Sequence, residues 1–293
     1  MSIFKGSGVA IVTPFNQDGS INFEAYEGLV EFQIENGTDA IIVCGTTGES
    51  ATLSTEEQIS LVKFTVEKVN KRVPVIAGAG SNNTSHAVEL AKGAYEVGAD
   101  ALLAVTPYYN KATQKGLILH FTAIAESTPL PVILYSVASR TATNIEPQTC
   151  VELAKVPNIV AIKEASSNIS QITEIASLVG DKMDIYSGND DQIVPILSLG
   201  GIGVISVLAN IAPKDTHDIV AKYFEGDLKG SLKLQLDAME LIKALFCEVN
   251  PIPVKEALNI MGLNGGAYRS PMCPMEDKNR ERLIRTMKDY GLI

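Results

Sequence analysis

The sequence has only three histidines, His86, His120 and His217, and none is spaced as HxH or HxxxH from another. The commonest general base and metal ligand is therefore scarce, and metal-dependent hydrolysis and Ser/His/Asp catalysis find little support. No metal site is expected. Neither GxxxxGK nor GxGxxG occurs, so the usual nucleotide cradles are missing. Four cysteines (Cys44, Cys150, Cys247 and Cys273) lie far apart without a CxxC pair. In a chain of this size they read as reduced thiols rather than a disulfide framework or a zinc site. Basic residues are also in deficit: 24 Lys and Arg against 34 Asp and Glu give a net charge of -10. Phosphate binding needs clustered Lys and Arg, so a nucleic-acid face and a polybasic membrane anchor are both disfavoured. No apolar run approaches the roughly 20 residues of a membrane span. The opening segment is broken by Lys5, Gly6 and Pro14 and lacks the continuous apolar core of a signal peptide. The expected location is the cytoplasm.

With 46% apolar and 20% charged residues, the composition is that of a globular protein. Eight short apolar, β-branched runs recur, at 8–14, 40–45, 73–80, 101–109, 131–137, 159–166, 184–190 and 203–210. Segments with helical spacing lie between them, for example 54–70 and 85–98. Ser54 followed by Glu57 has the pattern of a capping box, in which hydroxyl and carboxylate satisfy early helical N–H groups reciprocally. Runs that are apolar throughout belong in a parallel sheet covered by helices on both faces. Eight evenly spaced βα units favour a closed (β/α)8 TIM barrel over an open doubly wound sheet, because closure removes both edges. Towards the C-terminus the alternation gives way to helical stretches at 229–249, 254–261 and 277–290. The reading is an α/β barrel over residues 1–223 and a C-terminal α-helical domain over 224–293.

In such a barrel, catalytic groups belong at the C-terminal ends of the strands. Lys163 is the most unusual residue there: it interrupts an apolar strand and shares one face with Ile159 and Ala161 by the two-residue period. Burial inside the barrel penalises the ammonium form, and a neutral amine is what attacks a ketone to form a Schiff base. The plainer alternative is a lysine that snorkels to solvent or pairs with Glu164. The 45–50 loop, GTTGES, sets hydroxyls between glycines. It offers an anion nest for a carboxylate or phosphate, although any βα unit needs a tight turn at this point. Tyr109 and Tyr135 can serve as acid and base if their phenols meet near the lysine, or they simply pack. Arg140 is either a bidentate carboxylate clamp or a partner in a surface ion pair.

Together, GTTGES (45–50), TPYYNK (106–111), Leu134-Tyr135 followed by Ser139-Arg140-Thr141, and IKEAS (162–166) resemble the dihydrodipicolinate synthase family of pyruvate-dependent class I aldolases. The similarity runs from GVAIVTPF at the start to NPIPVK (250–255) in the tail. Four motifs in order, each at an expected strand end, make the resemblance specific. It implies that Lys163 condenses with pyruvate and that the derived enamine attacks L-aspartate 4-semialdehyde. Cyclisation would give 4-hydroxy-tetrahydrodipicolinate, a step of lysine and diaminopimelate biosynthesis. No cofactor is implied beyond the covalent imine of pyruvate on Lys163. Tyr135, Thr47 and Tyr109 would form a proton relay. The family's counterpart of Tyr109 enters from a neighbouring subunit, so a homotetramer, or at least a homodimer, is expected. Thr46 and Thr47 would hold the pyruvate carboxylate, Gly188 and Ile205 would line the pocket, and Arg140 would hold the semialdehyde carboxylate.

Two departures from the family pattern matter. After the tyrosine the family usually has Asn-Val-Pro and later Arg-Thr-Gly, whereas this chain reads Ser136-Val137-Ala138-Ser139-Arg140-Thr141-Ala142. Losing the proline frees one φ angle, and alanine in place of glycine is expected to exclude a positive φ, so the Arg140 loop should sit differently. Lysine-sensitive members carry two histidines after the GTTGE loop and a glutamate where His86 stands; here the positions are Thr55, Gln58 and His86. Ser50, Ala51, Asn82 and Tyr108 of that regulatory site remain, but a cationic ligand has lost its carboxylate partner. Weak or absent inhibition by lysine is expected. Two other readings stay open: an aldolase acting on a sugar acid, such as N-acetylneuraminate lyase, and a non-catalytic barrel that binds pyruvate. Relatives of the first kind typically have Ser at Thr47 and lack Arg140, and only the altered 135–142 loop supports the second.

Overall fold

Each of the eight apolar runs supplies one strand. They are β1 (Gly6–Ala10), β2 (Ala40–Val43), β3 (Val75–Gly78) and β4 (Ala101–Val105), then β5 (Val132–Ser136), β6 (Ile159–Glu164), β7 (Asp184–Ser187) and β8 (Gly203–Ser206). In the computed structural model, which describes residues 2–293, the strands pair in parallel in sequence order. β8 returns to β1 and closes the barrel. Inward-facing residues, among them Ala10, Ile42, Ile76, Leu103, Ile133, Ala161, Tyr186 and Ile205, form one apolar cluster. The outward-facing set packs on the surrounding helices in a second, larger cluster, so the sheet is buried on both faces. Just ahead of β1, Phe4 stacks on Tyr186 with ring centroids 4.5 Å apart, and its carbonyl accepts the tyrosine hydroxyl at 2.6 Å. That pair fills the N-terminal end.

The strands stop earlier than their apolar runs. β4 ends at Val105 and β7 at Ser187, short of 109 and 190, because the chain turns out of the ladder where the loops of the barrel mouth begin. The capping box is present: Ser54 N donates to Glu57 Oε2 at 2.9 Å, and Glu57 N to Ser54 Oγ at 3.2 Å. The expected single helix over 229–249 is corrected to two, Leu228–Asp237 and Met239–Leu245. The apolar face changes direction at Ala238. Before it Leu228, Leu232 and Leu236 are exposed, and after it Leu241, Ile242, Ala244 and Leu245 are buried, which a straight helix cannot present on one side. Helices Ile252–Ile260 and Asp277–Tyr290 complete the tail. Met239–Leu245 packs against the turn Asp190–Gln192, and Ile252–Ile260 against the turn Leu208–Asn210. The tail therefore covers the C-terminal ends of β7 and β8. Among the described residues no helix is long and apolar enough to cross a membrane.

Candidate active site

β5 and β6 run side by side with Tyr135 opposite Lys163 in register. Lys163 is 5% exposed, and its Nζ lies 4.2 Å from the centroid of the Tyr135 ring. Among the described residues no carboxylate pairs with this ammonium. Glu164 faces the other side of the strand, where it accepts from Ser166 N at 2.9 Å and Gln171 Nε2 at 3.0 Å. Burial holds its carboxyl above the usual range. At the end of β7, a Cβ on Gly188 would come within 2.7 Å of Ala165 Cβ, 3.0 Å of Glu164 O and 3.2 Å of Lys163 Cε. Only glycine fits beside the lysine stem. Asp190, also buried, accepts from Val207 N at 3.1 Å and Leu208 N at 2.9 Å. Burial pushes its carboxyl up, while those bonds and the charge of Lys163 pull it down.

Across the mouth, the loop after β2 is bracketed by Cys44 and Glu49 at φ of 55° and 56°, the left-handed region that costs an L side chain about 1–2 kcal/mol. Two ties hold it there. Thr13 Oγ1 donates to Gly48 O at 2.7 Å, and the buried Glu49 carboxylate meets Lys255 Nζ at 2.6 Å. Lys255 has no exposed surface and also donates to Thr13 O at 3.0 Å and Ala267 O at 2.5 Å. Burial holds its ammonium below the usual lysine range against the opposing pull of Glu49. In the loop so held, Thr46 is half-buried and Thr47 is 2% exposed. Thr47 Oγ1 accepts from Asn250 Nδ2 at 3.0 Å.

β5 leads into a short helix, Ala138–Thr141. Arg140 on this helix is exposed, and its Nη2 donates to Asn250 O at 3.2 Å. Thr141 Oγ1 accepts from Thr106 Oγ1 at 2.9 Å and pins the loop to the end of β4. Ala142 adopts φ of 54°, with its N–H bonded to Ala138 O at 2.9 Å. This corrects the expectation that alanine excludes a positive φ: it takes the left-handed cap where the short helix ends, in a turn closed by Thr143 N donating to Thr141 Oγ1 at 3.3 Å. Lys163, Tyr135, Thr46, Thr47, Arg140 and Gly188 line one cavity of about 740 Å³ whose outer wall is residues 246–250 of the tail. Ile205 is buried inside the barrel and is not part of that wall.

Tyr109 stands apart. It is 91% exposed at φ of 75° and does not line the cavity. Tyr108 lines a second cavity of about 350 Å³ with Ser50, Ala51, His86 and Glu49. Asn82 is not on that wall; its carbonyl accepts Asn110 Nδ2 at 2.8 Å. The His86 ring is engaged on both nitrogens, with Thr55 Oγ1 at 3.1 Å and Ser81 Oγ at 3.3 Å. Among the described residues no group of three or more His, Cys, Asp or Glu side chains is arranged to hold a metal ion.

A protein-family model described as the dihydrodipicolinate synthetase family matches residues 3–290. The chain belongs to this family. A 4-hydroxy-tetrahydrodipicolinate synthase of Lachnoclostridium phytofermentans is 61% identical over 294 residues, covering 100% of both chains. Among solved structures, the dihydrodipicolinate synthase of Thermotoga maritima matches with a TM-score of 0.97 at 45% identity, covering 100% of each chain. The enzyme of Acinetobacter baumannii, solved with pyruvate, matches with a TM-score of 0.96 at 46% identity over 99% of each chain. The TIM barrel and the lyase class read from the sequence agree with these relatives. Within the family frame, two features of the site escaped the sequence reading: Asn250 and the Glu49–Lys255 pair. Both lay inside quoted motifs without a role. Lys255 amid Ile252, Val254, Ala257 and Leu258 carries the signal that singled out Lys163, a lysine interrupting an apolar face.

Proposed function

We propose that the enzyme condenses pyruvate with L-aspartate 4-semialdehyde to 4-hydroxy-tetrahydrodipicolinate, a step of lysine and diaminopimelate biosynthesis, through an imine on Lys163. The observation that carries this reading is a buried lysine without a carboxylate partner, packed on the Tyr135 ring at 4.2 Å in the cavity that also holds Thr47 and Arg140. Neutral Nζ attacks the pyruvate carbonyl, and the carbinolamine loses water to leave the imine. The protonated imine accepts electron density, so a methyl proton departs and an enamine forms. Its carbon attacks the aldehyde, whose oxygen takes up a proton. The amine of the second substrate then displaces Lys163 and closes the ring.

Each proton needs a carrier at the cavity. Tyr135 is assigned to the imine, with Thr47 and Tyr109 extending the relay. An outward-held Tyr109 suits a contribution to a neighbouring subunit, and a homotetramer, or at least a homodimer, belongs to the proposal. Thr46 and Thr47 bind the pyruvate carboxylate through their backbone N–H groups, with Gly188 admitting the lysine stem and Ile205 backing the pocket. Arg140 spends one N–H on Asn250 O and keeps its remaining donors for the semialdehyde carboxylate. The net charge of -10 repels the pyruvate anion at long range and does not attract the zwitterionic semialdehyde, so capture depends on these local donors. The division into a barrel at 1–223 and a tail at 224–293, and a cytoplasmic location, complete the reading; the four free cysteines suit a reducing compartment. Weak or absent inhibition by lysine is also proposed, because His86 is already engaged and Glu49 is committed to Lys255. An inhibition constant below about a millimolar, roughly 4 kcal/mol of binding, overturns that part.

Trapping with borohydride in the presence of pyruvate, followed by peptide mapping, tests the core of the reading. The expected adduct is on Lys163, and Lys163→Ala should abolish both adduct and turnover. An adduct elsewhere, or activity retained without Lys163, refutes the mechanism. Turnover of N-acetylneuraminate in preference to the semialdehyde would replace the assigned substrate.

A further inference from the structure

The tail contributes a whole wall of the cavity, residues 246–250, and the reaction as assigned uses none of it. Asn250 is the member that touches the chemistry. It is 5% exposed, its Nδ2 donates to Thr47 Oγ1 at 3.0 Å, and its carbonyl accepts Arg140 Nη2 at 3.2 Å. One residue thus joins the loop after β2 to the loop after β5. Lys255, on the helix that begins at Ile252, is tied to Glu49 at 2.6 Å. The two segments therefore meet twice, at Asn250–Thr47 and at Lys255–Glu49, and the buried ion pair holds the backbone around Asn250 close to the threonine loop.

We infer that Asn250 is a positioning residue for the reaction, which fixes the direction of the Thr47 hydroxyl. The inference rests on the imine chemistry proposed for Lys163. A threonine hydroxyl has one O–H and two lone pairs. The amide donor occupies one lone pair, leaving one proton to give and one lone pair to receive. A relay hydroxyl needs both, since it passes one proton on as it accepts another. Because the amide donates here, it cannot take the hydroxyl's own proton, which stays directed at the cavity. The other end of the same amide supports this reading: Asn250 Oδ1 is buried with no partner. The acceptor end thus makes no protein contact that would turn the amide away from Thr47.

Steady-state kinetics on N250A and N250D, with pyruvate methyl deuterium exchange followed by NMR and borohydride trapping as a control, test the inference. In N250A, kcat and the exchange rate should fall roughly tenfold, the loss expected for one neutral hydrogen bond, while KM for pyruvate stays within about twofold. N250D keeps the shape but offers only acceptors, so the hydroxyl must turn its proton to the carboxylate and kcat should fall at least as far. In a T47V background, N250A should cost less than about twofold more, because both changes remove the same positioned proton. Should N250A fail to fold, N250D and the T47V/N250D pair carry the same comparison. Variants that trap pyruvate on Lys163 with kcat near that of the parent, or losses that multiply independently in the double variant, overturn the inference alone. A parent enzyme that forms no adduct on Lys163 overturns the proposed function, and this inference with it.

Discussion

Gly188→Ala should slow imine formation far more than it unfolds the protein. The added Cβ would sit 2.7 Å from Ala165 Cβ and 3.0 Å from Glu164 O. Neither neighbour is the end of a flexible side chain, and carbon atoms pack at about 3.5–4.0 Å. Some part of β6 or β7 must therefore move by roughly 1 Å. Lys163 Cε lies 3.2 Å from the same Cβ, so the lysine moves with it. Overpacking of this kind costs about 1–3 kcal/mol of stability, which in a chain of this size lowers the melting temperature by a few degrees. Displacing a reacting group by about 1 Å costs on the order of 100-fold in rate, or about 2.7 kcal/mol on the barrier. Quenched-flow borohydride trapping on the folded variant separates the two effects. An adduct forming on Lys163 at the parent rate, in a protein that melts as the parent does, refutes the claim that glycine is there to admit the lysine.

Three further outcomes follow from local geometry. A142G should stabilise the protein by roughly 0.5 kcal/mol: removing a left-handed L residue relieves about 1–2 kcal/mol, against about 0.4–1 kcal/mol of added chain entropy in the unfolded state. A variant that melts below the parent contradicts this. His120 is buried with Nε2 unpartnered and Nδ1 at 2.9 Å from Thr84 Oγ1, and burial pushes its pKa down to about 4. The folded protein therefore resists a protonation that the unfolded chain undergoes near 6.5, so this stability is complete above about pH 6.5 and lost as pH falls towards 4, about 2 kcal/mol of it by pH 5. Urea unfolding at pH 7 and pH 5 should show that loss in the parent and a smaller one in H120Q; equal losses refute the assignment. E49Q should cost about 3–5 kcal/mol by leaving Lys255 charged and unpaired, and E49Q/K255M should recover most of it; a double variant as unstable as the single one refutes the pairing argument.

The barrel was legible because its strands are apolar on both faces and evenly spaced; β2 to β8 each fall within a run visible in the sequence, and β1 begins two residues ahead of its own. Their ends were less legible. The TPYYNK segment continues an apolar run past Val105, and nothing in composition marks where hydrogen bonding stops. The break at Ala238 was hidden for a related reason: helix formers run through it, and only packing decides which face each half buries, the first half against Pro213–Glu225 and the second against Asp277–Tyr290 and the barrel mouth. The Arg140 loop shows a different limit. Ala142 at a positive φ is locally unfavourable, and one of the bonds that hold the neighbouring Thr141 comes from Thr106, 35 residues away in the chain.

Lys163 and Lys255 make the clearest case for what the three-dimensional arrangement adds. Both interrupt apolar faces and both are buried, so sequence periodicity assigns them equally to a reactive amine or to an ion pair. The difference lies in what each meets. Lys255 finds a carboxylate and two carbonyls, which supply the partners a buried charge requires and leave its nitrogen lone pair unavailable. Lys163 meets an aromatic face and an open cavity, with no salt-bridge partner among the described residues and room for a ketone. A buried lysine is stabilised by a full set of acceptors or is left free to react, and in this barrel the two occur within one assembly: the satisfied lysine anchors the tail that closes the site of the free one.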